Sequence, residues 1–189
     1  ASGRADEVRE EIAFIRARAA DCSILTDLLA KGELPLRVTH NDTKLNNVML
    51  DDVTGRPVCV IDLDTVMPGL SLYDYGDSMR FGTNPAAEDE TDLSKVTCDL
   101  NLFEQYTKGF LEECGSMLTP QEIENLPLSA KLMTLECGMR FLADHIAGDT
   151  YFKIHREGHN LDRCRTQLKL VADMEAKMDT MKQIVEKYR

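Results

Sequence analysis

The chain has 189 residues, 43% of them apolar and 29% charged, and a formal net charge of −11. That length can bury a sizeable core within one domain. The acidic balance argues against nucleic acid as a partner, because phosphate backbones are held by clustered Lys and Arg, and no apolar run approaches the length of a membrane span.

The start, Ala1-Ser2-Gly3-Arg4, has no initiator Met and no signal peptide, and reads as a processed, tagged or truncated end. Six scattered cysteines without a C-x-x-C pair read as reduced thiols of a cytoplasmic protein. Val8, Ile12, Ile15, Ala19, Cys22, Leu25, Leu28 and Leu29 keep steps of three and four, which predicts one helix over 5–31, closed by Gly32 and Pro35.

Val48-Met49-Leu50 and Val58-Cys59-Val60-Ile61 flank a turn rich in Asp, Gly and Pro, so a β-hairpin is expected. The second run has no polar alternation, which predicts helices over both its faces. Beyond it the pattern is helical: a short helix near 71–81, and one over 91–113 with Leu93, Val96, Leu100, Phe103, Tyr106 and Phe110 on one side. Thr119-Pro120-Gln121-Glu122 is a capping box, and Pro127 ends its helix. A longer helix follows over 128–147, closed by Gly148, and a last one runs from after Asn160 to the C-terminus. The expected fold is mainly α with a small β-hairpin, an α+β class. It divides into a leading helix and linker (1–39), a loop plus hairpin (40–70) and a helical subdomain (71–189). The nine methionines read as core filler on the helix stripes.

The chemistry concentrates in His40-Asn41-Asp42-Thr43-Lys44-Leu45-Asn46-Asn47, with Asp62-Leu63-Asp64 fifteen residues after Asn47. H-x-D-x-K-x-x-N supplies a base, a cation and a carboxamide, and the second segment adds carboxylates at the end of a strand. These are the parts needed to move a phosphoryl group from a magnesium nucleotide to a hydroxyl. Asp42 is the candidate base that aims the acceptor and takes its proton. Asn47 and Asp62 are candidate Mg²⁺ ligands, hard oxygens suited to that ion, and Asp64 is placed for a second metal. Lys44 can offset charge on the transferring group, and His40 props the loop. Asp62-x-Asp64-x-Val66 also resembles the first motif of a haloacid-dehalogenase-like phosphatase, but that reading needs a parallel sheet and the downstream sequence is helical.

His40 to Asn47, Ile61-Asp62-Leu63-Asp64 and Tyr73-Asp74-Tyr75-Gly76-Asp77 resemble the aminoglycoside phosphotransferase and choline kinase superfamily, whose members share the protein-kinase fold. Asp77-x-x-Arg80-Phe81 and the stretch from Arg140 to Lys153 are most similar to the N-acetylhexosamine 1-kinases, which phosphorylate an anomeric hydroxyl with ATP and Mg²⁺. The resemblance implies that Phe81, Arg140 and Tyr151 line a sugar pocket, while Asp74 and Asp77 brace the turn after the metal strand. It also implies a C-terminal lobe of a protein-kinase-like fold: the strand-rich N-terminal lobe that roofs the nucleotide has no counterpart before His40, and becomes an expected partner segment of the same protein. The alternative is a free-standing or degenerate lobe acting as a non-catalytic binding module. His155 and His159 lack the Glu placement of a zinc motif, and the acidic run Glu88-Asp89-Glu90 with Asp92 reads as a solvated helix start.

Overall fold

The leading apolar stripe does not form one helix. In the computed structural model, which describes residues 3–189, it splits into α1 (Arg9–Arg16) and α2 (Ile24–Ala30), separated by a 3-10 turn over Ala19–Ser23. The break corrects the helix expected over 5–31, and packing explains it. Val8, Ile12 and Ile15 join one apolar cluster with Leu135, Phe141 and Leu168, whereas Leu25, Leu28 and Leu29 join another with Leu34 and Leu70. One straight helix could not face both. Arg18 fixes the bend: its guanidinium stacks 3.4 Å from the Phe14 ring centre, donates to the Phe14 carbonyl, and pairs with Glu175 at 2.6 Å.

The chain then enters two small antiparallel sheets. β1 (Arg37–Thr39) pairs with β4 (Met67–Gly69), and between them β2 (Val48–Leu50) pairs with β3 (Pro57–Val60) as the expected hairpin. The β1–β4 pair was not anticipated from the sequence. Every residue of β3 is exposed, Val58 at 65%, which overturns the expectation of helices on both faces. The two hairpin strands bond only each other. No parallel sheet forms among the described residues, so the dehalogenase-like reading loses its scaffold.

The body follows. α3 (Ser71–Gly82) packs on α6 (Leu126–Ala147), which packs along α7 (His159–Tyr188), while α4 (Leu100–Cys114) and the short α5 (Pro120–Glu124) complete the layer. α3 and α6 approach so closely at Gly76 that an added Cβ would stand 2.5 Å from the Ser129 carbonyl oxygen. The helix expected over 91–113 starts only at Leu100. Asp99 caps it by accepting from the Asn101 and Leu102 N–H groups, and Asp173 of α7 takes the Cys98 N–H at 2.7 Å, so side chains outcompete the helix upstream. The Thr119–Glu122 capping box forms as expected. The break after it falls at Asn125, and Pro127 sits inside the first turn of α6, where its missing N–H costs nothing. Met79, Met174 and Met181 are fully buried, and all six cysteines are free. Among the described residues no helix is long and apolar enough to cross a membrane.

Candidate active site

β1 ends at Thr39 and delivers the loop that follows onto the N-terminal part of α3. The carboxylate of Asp74 receives the backbone N–H of His40 at 2.8 Å and of Asn41 at 2.7 Å, and the Asp74 carbonyl accepts from the Thr43 hydroxyl at 2.6 Å. Asp74 therefore braces the loop that precedes the hairpin, and not the turn after the metal strand where the sequence reading put it. Asn41 adopts a left-handed φ of 64°, tolerable for Asn, and its amide donates to the Thr65 carbonyl at 3.0 Å. The His40 ring accepts the Asp42 N–H at Nδ1 (3.3 Å), so Nε2 carries the proton it gives to the Ile61 carbonyl at 2.9 Å. His40 thus props the loop against the end of the hairpin.

These bonds converge on Asp42. Its Oδ2 accepts from Lys44 Nζ and from Asn47 Nδ2, each at 2.8 Å, and its carbonyl accepts a second bond from Asn47. Partial burial alone would push the Asp42 carboxyl up, but the hydrogen bonds from Lys44 and Asn47 and the Lys44 charge prevail and hold it below the usual carboxylate range. Asp42 is therefore ionised at neutral pH, with Oδ1 outside that pair of bonds. Lys44 is the mirror case: its bond to Asp42 holds the ammonium above its ordinary range against burial, with help from the charges of Asp42, Asp62 and Asp77.

The backbone ties the metal candidates together, since the Ile61 N–H donates to the Asn47 carbonyl at 2.9 Å. Asp62 then turns left-handed, with φ 62°, into a 3-10 turn over Leu63–Thr65, so it meets Asp64 through that turn and not through continued strand alternation. The hydrogen bond with Asp64 and that neighbour's charge raise the Asp62 carboxyl above its ordinary range. That crowding of two negative charges is one a divalent cation would relieve. The hard-oxygen set of Asn47, Asp62 and Asp64 fits magnesium. Among the described residues no group of three His, Cys, Asp or Glu is placed to hold a metal ion.

Beside the loop, at Asn41, opens a cavity of about 400 Å³ between α2, α3 and α6, reached by Tyr73, Glu136 and Arg140. Arg140 also borders a neighbouring depression of about 370 Å³ with Tyr151 and Phe152, its guanidinium 5.9 Å and 5.4 Å from their ring centres. Tyr151 is 74% exposed, so its ring is open to a ligand. Asp144 fixes this wall by accepting the N–H groups of Thr150, Tyr151 and Phe152 at 2.8, 2.8 and 2.9 Å. Phe81 is not brought to either depression. It lines a separate recess of about 130 Å³ with Arg80 and Gln167. Nearby Asp77 pairs with Arg80 at 3.0 Å, inside the body, and does not brace the turn.

Two sequence features resolve as structural. His159 Nε2 lies 3.0 Å from Asp89 and its Nδ1 accepts the His155 N–H. Of the acidic run, Asp92 caps a short 3-10 turn over Leu93–Lys95 by accepting the Ser94 N–H, while Glu88 meets Arg80 at 3.0 Å and Asp89 meets His159, so those two charges clamp α3 to α7 and are not merely solvated.

A family model described as the phosphotransferase enzyme family matches residues 2–97, just over half of the chain. The chain belongs to that family. The matched span carries the Asp42 loop, the hairpin with Asp62 and Asp64, and α3 with Asp74. The aminoglycoside phosphotransferase and choline kinase superfamily suggested by these motifs is therefore the right one. α4 to α7, with Arg140 on α6 and Tyr151 in the connection from α6 to α7, lie outside the phosphotransferase match. Glu136 escaped sequence reading because its only signal is that it precedes Arg140 by one helical turn.

Proposed function

We propose that this phosphotransferase moves the terminal phosphoryl group of ATP to the anomeric hydroxyl of an N-acetylhexosamine. The observation that carries phosphoryl transfer is the bonded set Lys44–Asp42–Asn47, with Asp62 and Asp64 held beside it through the Ile61–Asn47 backbone bond. Asp42 Oδ1 would orient the acceptor hydroxyl and take its proton late in transfer, a contribution typically worth about 10²–10⁴-fold. Its depressed pKa suits it to be the ionised partner at neutral pH. Lys44, within the field of both Asp42 and Asp62, would follow the charge moving onto the phosphoryl oxygens. Magnesium, when bound, would neutralise the phosphates, and Asn47 Oδ1 and Asp62 would hold it with Asp64 alongside.

For the acceptor, the support is chemical. The exposed Tyr151 ring offers a face to the apolar side of a pyranose, and Arg140 beside it can donate to a hydroxyl or acetamido oxygen. Phe81 enters this reading only through the family resemblance. We also propose that a strand-rich lobe of the same protein covers the hairpin and roofs the nucleotide. Val53, Val58 and Val60 stand exposed there, and both hairpin strands keep an open edge.

The test is nucleotide turnover, with that lobe in place, against a panel of hydroxyl acceptors, with phosphorus NMR of the product. ADP release that depends on an N-acetylhexosamine and yields its anomeric phosphate is the expected result. Turnover with other acceptors alone would remove the sugar assignment, and no turnover with any acceptor would leave a non-catalytic binding lobe.

A further inference from the structure

We propose that Glu136, acting with Arg140, sets the charge selectivity of the acceptor site: it admits a neutral sugar bearing hydroxyls and an amide, and rejects a cationic amine. The inference rests on the acceptor reading above and adds to it a specificity-determining residue and a reason for choosing among substrate classes.

Glu136 and Arg140 stand one turn apart on α6 and both line the cavity that meets the catalytic loop at Asn41. Oε1 and Nε are 3.7 Å apart, close enough to compensate charge but too far for a hydrogen bond. Among the described residues neither side chain has a hydrogen-bond partner, although each is only about half-exposed, at 45% and 51%. The buried ion pair of Glu122 looks different, although the exposed Lys108–Glu112 pair on α4 is equally loose at 3.8 Å. Glu122 takes Arg37 at 2.6 and 2.7 Å and the Ser71 hydroxyl at 2.6 Å, which fills its carboxylate. The Glu136–Arg140 pair instead keeps its acceptors and donors for whatever enters the cavity.

The charge count of the cavity then decides what that is. Among the described residues Glu136 and Arg140 are the only charged side chains along its lining, and Thr26, Asn41 and Tyr73 add neutral polar groups. A cationic acceptor would meet a carboxylate already offset by a guanidinium, and would lose its hydration with no net attraction in return. A neutral N-acetylated sugar presents hydroxyls that donate to Glu136 and an acetamido oxygen that accepts from Arg140. The rings of Phe152 and Tyr151 hold the guanidinium in place from the other side.

The experiment is calorimetric titration of the whole chain with N-acetylglucosamine and with protonated glucosamine, using the wild type, Glu136→Gln and Arg140→Met. The wild type is expected to favour the neutral sugar by about tenfold or more. Glu136→Gln should weaken N-acetylglucosamine by about tenfold, the size of a lost bond to a charged group. Arg140→Met should shift the preference toward glucosamine, because a lone carboxylate remains, and no purely structural role for the pair predicts that inversion. Thermal melts matching the wild type establish that both variants fold. If the ratio of the two affinities is unchanged in both variants while binding persists, the inference is wrong and the acceptor reading stands. A wild type that binds neither sugar overturns the acceptor reading itself.

Discussion

The helical body and the loop–hairpin platform obey different rules. In the body, α3, α6 and α7 bury methionines and aromatics, glycine permits helix contact at Gly76, and charges are paired inside. On the platform, valines face outward, and Asn41 and Asp62 adopt left-handed conformations that residues with side chains seldom take. On the proposed reading, stability is vested in the body and phosphoryl transfer in the platform, with only the acceptor pocket shared by α6. Asp74 joins them, since it belongs to α3 yet holds the backbone of the catalytic loop. Strain is tolerated on the platform because the body over-determines the loop's position.

Substitutions should therefore separate into two groups, and four of them probe that separation. Lys44→Met should lower phosphoryl transfer by about 10²–10³-fold while leaving the melting temperature within a few degrees of wild type. Because the Lys44 bond and charge hold the Asp42 carboxyl down, its removal raises that pKa. A base works when deprotonated, so the acidic limb of the pH–rate profile should move to higher pH. A large loss of stability in Lys44→Met would break the division.

Glu122 is next. Burial alone would raise its carboxyl, but bonds from Arg37, Ser71 and the Thr119 N–H prevail and depress it from 4.5 to about 2. A folded-state value below the unfolded one gives stability that is fully present above pH 4.5 and is lost as pH falls toward about 2. The loss should be on the order of 3 kcal/mol by acid titration of the unfolding free energy, and Glu122→Gln should flatten that slope.

Gly76→Ala should destabilise by about 1–3 kcal/mol in denaturant unfolding, since its Cβ would press on the α6 backbone. Val58→Thr on the exposed hairpin should change stability by less than about 0.5 kcal/mol. A larger cost there would mean that the hairpin is packed against something within this chain.

The sequence reads well where a local rule decides. The Thr119 capping box, the hairpin turn and the spacing from His40 to Asn47 each rest on residues a few positions apart, and each formed. It reads poorly where a distant partner decides. The 5–31 stripe breaks because its halves meet clusters formed by residues far along the chain, and the 91–99 segment is pulled out of helix by Asp173. The outward valines of β3 defeat the rule that an unbroken apolar run is covered, since no helix reaches them. Glu136 carries a single weak local signal, its place one helical turn before Arg140. Its meaning comes from α2 and α3 closing a cavity around it.

The central claim is that Asp42 serves phosphoryl transfer and not the fold. It is tested most directly by measuring magnesium-dependent ADP release and thermal unfolding side by side for wild type and Asp42→Asn. The account predicts a loss of turnover of about 10²–10⁴-fold with a melt close to wild type. Turnover unchanged by the substitution would contradict it.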